Sequence, residues 1–266
     1  MDNLHRALAP ISDAAWAQIE EEASRTLKRY LGARRVVDIH GPEGFDLSAV
    51  GTGHLKAASS IAEGVTCRQR EVNPLVELRV PFSLTRSAID DVGRGSNDSD
   101  WQPLKDAARQ IALAEDRLVF LGYPEAGIRG ILPESDNPAV PLPANVADYP
   151  EAVARAVSEL RLAGVNGPYA MVLGTAAFTE ATGGAEDGYP VLNHLQKLVD
   201  VPVVWSQALE GCAVLTTRGG DFDLWLGQDI SIGYLSHDAE QVTLYLQESL
   251  TFQMQTSEAV VVLAGH

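Results

Sequence analysis

The segment from Arg218 to Met254 reads RGGDFDLWLGQDISIGYLSHDAEQVTLYLQESLTFQM, and its pattern decides the fold. Apolar residues occupy every second position in consecutive runs, which is the period of a strand with one buried face. Gly227 and the polar run 236–241 interrupt the alternation, as turns between strands do. We therefore predict an antiparallel meander. Its buried face is expected to hold Phe222, Leu224, Leu226, Ile230, Ile232, Tyr234, Val242, Leu244, Leu246, Leu250, Phe252 and Met254.

The opposite face of the predicted meander is polar. Side chains of this kind suit solvent or a wet contact, and none of them stands at a spacing typical of catalysis. The segment is therefore expected to be a structural platform. The residues on this face are Asp221, Asp223, Thr243, Gln247 and Thr251.

Short motifs in this segment carry a resemblance to a known family. They are Arg218-Gly219-Gly220-Asp221-Phe222, Leu226-Gly227-Gln228-Asp229 and Ile232-Gly233-Tyr234, followed by Glu248, Thr251 and Phe252. Further matches occur in order along nearly the whole chain, at Leu4, 8–10, Trp16, 34–38, 98–101, 115–116 and 167–169. On these motifs the chain resembles the family 1 encapsulin shell proteins, the linocin-like proteins of bacterial nanocompartments.

The resemblance implies an α+β chain with the HK97-phage-like major capsid fold, which has peripheral, axial and extension-loop elements. The segments that follow from it by position are 1–44 for the N-terminal helix and first peripheral strand, 45–80 for the extension loop, 81–132 for the peripheral domain with its spine helix, 133–217 for the axial domain and 218–266 for the return strands of the peripheral domain.

Charge and composition argue against several classes of partner. The 266 residues include 36 acidic and 20 basic side chains, a net charge of −16, whereas nucleic-acid and anionic-membrane binding rely on clustered Lys and Arg. The sequence has no apolar run near the ~18 residues of a transmembrane helix and no recognisable signal peptide. We expect a soluble, cytoplasmic chain without a nucleic-acid or membrane partner, in which Cys67 and Cys212 are reduced.

Residues 45–80 include a stretch that cannot bury a core by itself. Its alternating half, 65–72, is largely polar on both faces, so it predicts a two-stranded arm that something else must hold. A mobile surface hairpin is one interpretation. The other is the family's extension loop, which lies across a neighbouring subunit, and the length of the stretch favours it. The isolated protomer should then expose clearly more than the roughly 11,000 Å² of a compact chain of this mass.

Helical signals frame the rest of the chain. Ser12 or Asp13 begins a helix that ends at Gly32, and Pro103 lies in the first turn of a second helix that ends at Gly122 and matches the family's spine helix. Between 150 and 216, helical and strand signals alternate, which favours a small α/β unit. Glu115 and Asp116 are adjacent on the second helix, but no nearby His or metal-ligand spacing supports an acid–base role.

The residues that usually carry catalysis do not form a recognisable site. None of the histidines has a second His, Cys or carboxylate at the spacing of a zinc or di-iron site. His237-Asp238 falls in a predicted hairpin turn, where polar residues are expected. The sequence contains no P-loop, nucleophile elbow or dinucleotide fingerprint. We predict a chain that is no enzyme and binds neither metal nor cofactor; its scattered histidines are His5, His40, His54, His194, His237 and His266.

The resemblance implies a structural function. Shell proteins of this family assemble into a closed icosahedral cage, most often of about sixty copies related by closed symmetry. The cage encloses a cargo enzyme, commonly a dye-decolourising peroxidase or a ferritin-like iron protein, which is bound through a C-terminal targeting peptide. Pores admit small substrates. The identity of the native cargo is left open.

The resemblance also places two sites. Apolar side chains would bury the targeting peptide while Arg34 or Asp38 fixed its polar groups; the predicted groove residues are Leu27, Leu31, Arg34, Asp38, Ile230 and Ile232. The acidic turn after 182 lacks the lysine of a phosphate loop, and composition alone predicts an ordinary surface turn. In the family it would line the five-fold pore as a negative ring that favours cations, formed by Gly183, Gly184, Glu186, Asp187, Gly188 and Tyr189.

Two other functions fit the resemblance less well. A prophage major capsid protein that packs DNA would need a basic lining, which the net charge of −16 does not favour. A hydrolase or bacteriocin-like enzyme has no support among the residues. A structural shell protomer is therefore the prediction.

Overall fold

A computed structural model describes residues 3–186 and 188–264. Ser12 caps the first helix by accepting a hydrogen bond from the Ala15 N–H, and Pro103 lies in the first turn of the third, as predicted. The short helices at Arg86–Gly93 and Thr175–Gly183 were not predicted. The α-helices in the described residues are α1 Asp13–Tyr30, α2 Arg86–Gly93, α3 Gln102–Leu121, α4 Tyr149–Leu162, α5 Thr175–Gly183 and α6 Val191–Leu198.

The strands of the described residues form two main sheets and three two-stranded pairs. This mixture confirms the α+β class. The strands are β1 Asp38–His40, β2 Ala49–Ala58, β3 Cys67–Pro74, β4 Val76–Thr85, β5 Gly122–Tyr123, β6 Ile128–Arg129, β7 Val140–Pro141, β8 Tyr169–Leu173, β9 Ala185–Glu186, β10 Tyr189–Pro190, β11 Val204–Trp205, β12 Cys212–Thr216, β13 Phe222–Leu226, β14 Ser231–His237, β15 Gln241–Met254 and β16 Val260–Ala264.

The first sheet is built on the 14-residue strand β15, whose residues 241–250 pair with antiparallel β4 on one side. On the other side, β14 pairs with 242–247 and β13 pairs with 250–254. The edge of β13 is extended by β1, which runs parallel to it. The alternating runs are strands, as predicted, but the simple meander is wrong. The last two runs join into one long strand, so β13 and β14 both pair with β15 and not with each other.

The polar face of this sheet is covered as well as the apolar face. The expectation of solvent is wrong for Asp221, Gln247 and Thr251, which are buried. Arg79 on β4 donates to the Gln247 side chain over 2.9 Å, and its guanidinium lies 4.4 Å from the centre of the Tyr245 ring. Polar side chains on neighbouring strands therefore shield one another from solvent.

Helices α1 and α3 close the apolar face of β14 and β15. Their shared core includes Trp16 and Ile19 from α1, Leu104 and Ile111 from α3, and Leu244 from β15. With 20 residues, α3 is about 30 Å long. Its last turn reaches a second core beneath β13. One long helix thus connects two parts of the hydrophobic interior.

The hairpin of β2 and β3, residues 49–74, is named here the arm. Its strands pair antiparallel with a register shift between Gly51 and Leu55, and its side chains belong to none of the three buried cores. Ile61 near its tip is 85% exposed. The protomer exposes 13793 Å², against roughly 11,000 Å² for a compact chain of this mass. The expected excess of surface is confirmed.

The second sheet has the strand order β11-β8-β12-β16-β7 and packs with α4, α5 and α6 around a core of its own. Strands β8 and β12 lie in this unit, which mixes helices and strands as expected. Its strand β16, however, comes from 260–264 and lies between β12 and β7. The assignment of all of 218–266 to the first sheet's domain is therefore wrong for this strand, and the boundary at residue 80 falls inside β4.

Candidate functional site

A groove of about 430 Å³ lies between α1 and the start of β14. Leu27 and Leu31 stand four residues apart, so they share one side of the helix end, and they line the groove together with Ile230 and Ile232. At the rim, Arg6 and Glu20 form an ion pair. The groove is thus apolar inside with charges around it. Its other charged lining residues are Lys28, Arg34 and Asp229.

Arg34 forms part of the groove wall, and its side chain is only 16% exposed. Its Nε lies 2.9 Å from Glu115 Oε1 and its Nη2 lies 2.6 Å from Glu115 Oε2, which is a bidentate ion pair with α3. Nη1 lies 2.8 Å from Asp229 Oδ1, and Nη2 lies 3.3 Å from Glu248 Oε2 on β15. One guanidinium therefore ties α3, β15 and the segment before β14 to the residues that follow α1. These four side chains are named the Arg34 cluster.

The Arg34 cluster contains three carboxylates and one cation. The Glu115 and Glu248 side chains are fully buried, whereas that of Asp229 is 46% exposed. Glu248 Oε1 has no hydrogen-bond partner within 3–186 and 188–264. Burial, and after it the charge of Glu115, raises the pKa of Glu248 well above its usual range. Glu248 therefore takes up a proton more readily than an exposed glutamate does, which would lower the excess of negative charge around Arg34.

Asp116 holds the backbone that leads into Arg34. It accepts hydrogen bonds from the N–H groups of Gly32 at 3.2 Å and Ala33 at 2.8 Å, and from the Ser206 hydroxyl at 2.5 Å. A Cβ on Gly32 would lie 2.9 Å from Asp116 Oδ2, so this close approach requires glycine. Burial raises the pKa of Asp116 to about 7, although its three donors act in the opposite direction.

Five of the six predicted groove residues come together in the groove: Leu27, Leu31, Arg34, Ile230 and Ile232. The placement of Asp38 there is wrong. Asp38 lies in β1, and its Oδ2 accepts a 2.6 Å hydrogen bond from the Gly220 N–H in the turn before β13. Gly219 and Gly220 adopt φ values of +90° and +80° in that turn, and Asp38 stabilises it. Arg34 is present, but its donors are engaged by carboxylates of its own chain.

Sequence reasoning missed the carboxylates that hold Arg34. A signal did exist for Glu248, because it stands between Leu246 and Leu250 on the apolar side of the strand, where a charged residue requires a buried partner. The identity of that partner was out of reach, since 214 residues separate Glu248 from Arg34. Only the fold brings them together.

The turn predicted to line a pore follows α5, which ends at Gly183. Strands β9 and β10 pair across it. Glu186 Oε2 lies 2.8 Å from His194 Nδ1, and the Tyr189 ring centre lies 4.9 Å from that of His194 and 4.5 Å from Lys197 Nζ. Gly184 and Gly188 complete the turn. Asp187, also predicted for the pore, lies outside the described residues.

Residues 3–186 and 188–264 hold neither a metal-binding cluster nor a membrane-spanning helix. No group of three or more His, Cys, Asp or Glu side chains there is arranged to hold a metal ion. None of its helices is both long and apolar enough to cross a membrane. Cys67 and Cys212 are free thiols, and burial raises the pKa of Cys212 to about 12.

Comparison with known proteins identifies the family. A family model described as "Encapsulating protein for peroxidase" matches residues 1–251. The chain belongs to the encapsulin shell-protein family. Its curated relatives include the type 1 encapsulin shell proteins of Rhodococcus erythropolis, 57% identical over 99% of this chain and 100% of the relative, and of Mycobacterium tuberculosis, 52% identical with the same coverage. That of Rhodospirillum rubrum is 47% identical over 100% of this chain and 97% of the relative.

Solved structures show that this encapsulin has the fold of phage capsid proteins. A virus-like particle from Pyrococcus furiosus matches with a TM-score of 0.66 at 15% identity, over 93% of this chain and 98% of the other. The Mycobacterium phage Bobi structure matches with a TM-score of 0.60 at 12% identity, over 89% and 91% of the two chains. The predicted HK97-like capsid fold is confirmed.

The family assignment also confirms the functional class. Relatives that match the whole chain are named as shell proteins, so this encapsulin is a self-assembling shell protomer and a structural protein, not an enzyme. The buried carboxylates of α3 and β15 belong to its architecture: they hold the elements around the groove.

Proposed function

We propose that this encapsulin protomer closes with about sixty copies of itself into an icosahedral cage in the cytoplasm, around a cargo enzyme. The arm is the feature that supports assembly into a closed cage. Apolar side chains at Leu55, Ile61 and Val65 are exposed along it, and a sister copy would cover them. Such a contact joins the arm of one copy to a different surface of the next copy. A series of these contacts forms a closed assembly when the rotations between copies sum to a full turn.

We further propose that the groove receives a C-terminal targeting peptide of the cargo. The observation that carries this proposal is the groove's apolar lining of Leu27, Leu31, Ile230 and Ile232, open on the surface of the protomer. An extended or helical peptide would bury its apolar side chains here, each worth about 1.5–3 kcal/mol when fully buried. The rim charges would meet the polar groups that flank those side chains.

Arg34 has a different role in this proposal from the one that its charge suggests. Glu115 and Asp229 occupy its donors, so it positions the groove wall and is not the main contact for a peptide carboxylate. Lys28 at the rim carries a positive charge that can meet such a carboxylate. The peptide would therefore be held chiefly by its apolar side chains.

The cargo that we propose is a peroxidase of the dye-decolourising type. The family description names an encapsulating protein for peroxidase, which supports this choice over a ferritin-like iron protein. Mass spectrometry of shells purified from the native cell would identify the enclosed protein. A ferritin-like cargo in place of a peroxidase would contradict this part of the proposal and leave the groove proposal intact.

The groove is tested by the double substitution Leu27→Asp and Ile230→Asp, which places two carboxylates in its apolar lining. We expect the amount of cargo per shell to fall at least about tenfold, since burying unpaired charge is unfavourable. The measurement is the cargo-to-shell ratio in purified particles, with electron microscopy to confirm that shells still form. Asp38→Ala, outside the groove, is the control and should retain cargo. Normal cargo retention by the double variant would rule out the groove.

We propose that the turn 183–190 lines a pore at the five-fold axis, where copies of Glu186 would form a negative ring. Its exposure at the end of α5 supports this. Glu186→Gln with Asp187→Asn should slow the entry of a divalent cation several-fold at low salt and less at high salt, because salt screens the ring. A chelating dye enclosed in the shell reports entry. Glu151→Gln on α4 is the control, and equal entry rates in both variants would remove the pore proposal.

A further inference from the structure

A second cleft, of about 550 Å³, lies between α1 and α3. It is separate from the groove, because its α1 residues lie on the other edge of that helix. Arg25 and Arg29 stand four residues apart on this edge, whereas Leu27 and Leu31 stand on the edge that borders the groove. We name it the basic cleft. Its charged lining residues are Glu22, Arg25, Arg29, Lys105, Asp106 and Arg109.

The charge of the basic cleft is opposite to that of the molecule. Four cations meet two carboxylates in a chain whose net charge is −16. Glu22, with a side chain 10% exposed, is held by Arg25 and by Lys105, whose Nζ lies 3.6 Å from its Oε1. Asp106 accepts from the Gln102 side chain over 2.8 Å. Both carboxylates thus already have partners.

Two guanidinium groups remain without a carboxylate partner. The side chain of Arg29 makes no hydrogen bond or ion pair with any residue of 3–186 or 188–264. Arg109 donates to the neutral Gln207 Oε1 at 3.0 Å, and its Cζ lies 5.7 Å from the centre of the Tyr30 ring. Both residues are exposed, so their charge is available to a ligand. Planar guanidinium groups prefer carboxylates and phosphates, which they bind with two parallel hydrogen bonds.

The position of the cleft indicates what the ligand is. It shares α1 with the groove, and the helix between them is about 10–12 Å across. An extended chain covers that distance in about four residues. A polypeptide whose end lies in the groove can therefore place a neighbouring segment in the basic cleft.

We propose that the basic cleft binds an acidic segment of the cargo polypeptide that precedes its targeting peptide; this rests on the proposed role of the groove. Exposed ion pairs contribute little singly, about 0.2–1 kcal/mol each. Linked to a peptide already bound in the groove, they act at high effective concentration and lengthen its residence. The cleft thereby selects cargo with Asp or Glu at the correct distance from the tail.

The test uses a dye-labelled octa-aspartate peptide enclosed with the protein when opened shells are reassembled, and fluorescence anisotropy as the readout. We expect octa-aspartate to bind, octa-lysine not to bind, and Arg29→Gln with Arg109→Gln to weaken binding about five- to tenfold. Arg29→Lys with Arg109→Lys should restore most of the affinity. Arg155→Gln, an exposed arginine on α4, is the control and should bind normally.

The groove variant Leu27→Asp with Ile230→Asp should bind octa-aspartate normally, which separates failure of this proposal from failure of the groove. The proposal would be overturned if Arg29→Gln with Arg109→Gln bound octa-aspartate as tightly as the parent shell does. It would also be overturned if the parent shell did not bind octa-aspartate. Tighter binding of oligothymidylate, lost in the Gln variant, would overturn it in favour of a nucleic-acid site. Full displacement by millimolar inorganic phosphate would overturn it in favour of a simple anion site.

Discussion

Asp116 shows how one buried carboxyl can hold the approach to a binding groove. It accepts from two successive backbone N–H groups and from the Ser206 hydroxyl, and so fixes the turn that presents Arg34. Its pKa of about 7 lies above the value near 4 of an unfolded carboxyl. The folded chain therefore binds this proton more tightly than the unfolded chain. The resulting stabilisation is complete below about pH 4 and is lost as the pH rises through 7.

Asp116→Asn should remove this pH dependence. Between pH 4 and 7 the wild-type free energy of unfolding should fall relative to the variant by up to about 4 kcal/mol, since each pKa unit corresponds to about 1.4 kcal/mol. Thermal unfolding of both proteins at several pH values in this range measures the difference. Asp106→Asn, an exposed position on the same helix, should give a curve parallel to wild type. If the free energy of unfolding of Asp116→Asn changed with pH in parallel with that of wild type, the raised pKa of Asp116 would be contradicted.

At the scale of elements, the Arg34 cluster joins α3, β15 and the segment before β14 to the residues that follow α1. Its two buried glutamates are not equivalent. Glu115 makes the bidentate pair with Arg34, whereas Glu248 makes one 3.3 Å contact with it, and its Oε1 has no hydrogen-bond partner among the residues that the structure describes. Burial first, and then the charge of Glu115, raises the pKa of Glu248 well above its usual range, so Glu248 takes up a proton more readily than an exposed glutamate does. Glutamine is then a close mimic of Glu248 and a poor one of Glu115.

Glu248→Gln should change the free energy of unfolding by less than about 1 kcal/mol, and Glu115→Gln should cost about 3 kcal/mol, because it leaves a buried guanidinium short of its main counter-charge. Denaturant titration at pH 7 measures both. The two variants are matched controls for each other, since each removes one buried carboxylate. The reverse order of effects would show that the charge resides on Glu248.

The elements also show what the sequence could predict. The alternation after Arg218 located the strands and their apolar faces, because side-chain period is a local property. It did not show that β13 and β14 pair with β15, because strand order depends on contacts between distant residues. Asp38 illustrates the same limit. Its charge suggested a ligand contact, but the fold brings it to the glycine turn before β13, where it accepts a backbone hydrogen bond.

At the scale of the whole molecule, the arm explains why the protomer exposes more surface than a compact chain of its mass. Its segment was predicted because no core could be assigned to it, and the exposed apolar tip agrees with that reasoning. The groove could be placed only by resemblance; five of its six predicted residues lie together, because they are on elements whose positions the motifs fix. In the proposed cage the arm would cover a surface of another copy, and one chain alone does not specify which surface.

Ile61→Asp should prevent shell formation without unfolding the protomer. The side chain is 85% exposed in the isolated chain, so a charge there is harmless until a sister copy has to bury it. Covering an isoleucine is worth about 1.5–3 kcal/mol at each contact, and a cage repeats that contact at every subunit. Size-exclusion chromatography should show small species, with an unchanged circular dichroism spectrum. Ile61→Val should still assemble, and normal shells of Ile61→Asp would contradict this role.

Strand β16 has a practical consequence for engineering. It completes the second sheet from a segment far from the other strands of that sheet, between β12 and β7. A fragment limited to 133–217 would lack an interior strand and expose an unpaired edge on β12, a template for aggregation. Designers who transfer residues 133–217 from one encapsulin to another should transfer 260–264 together with them. A chimera that receives 133–217 without strand β16 of the same parent should be insoluble.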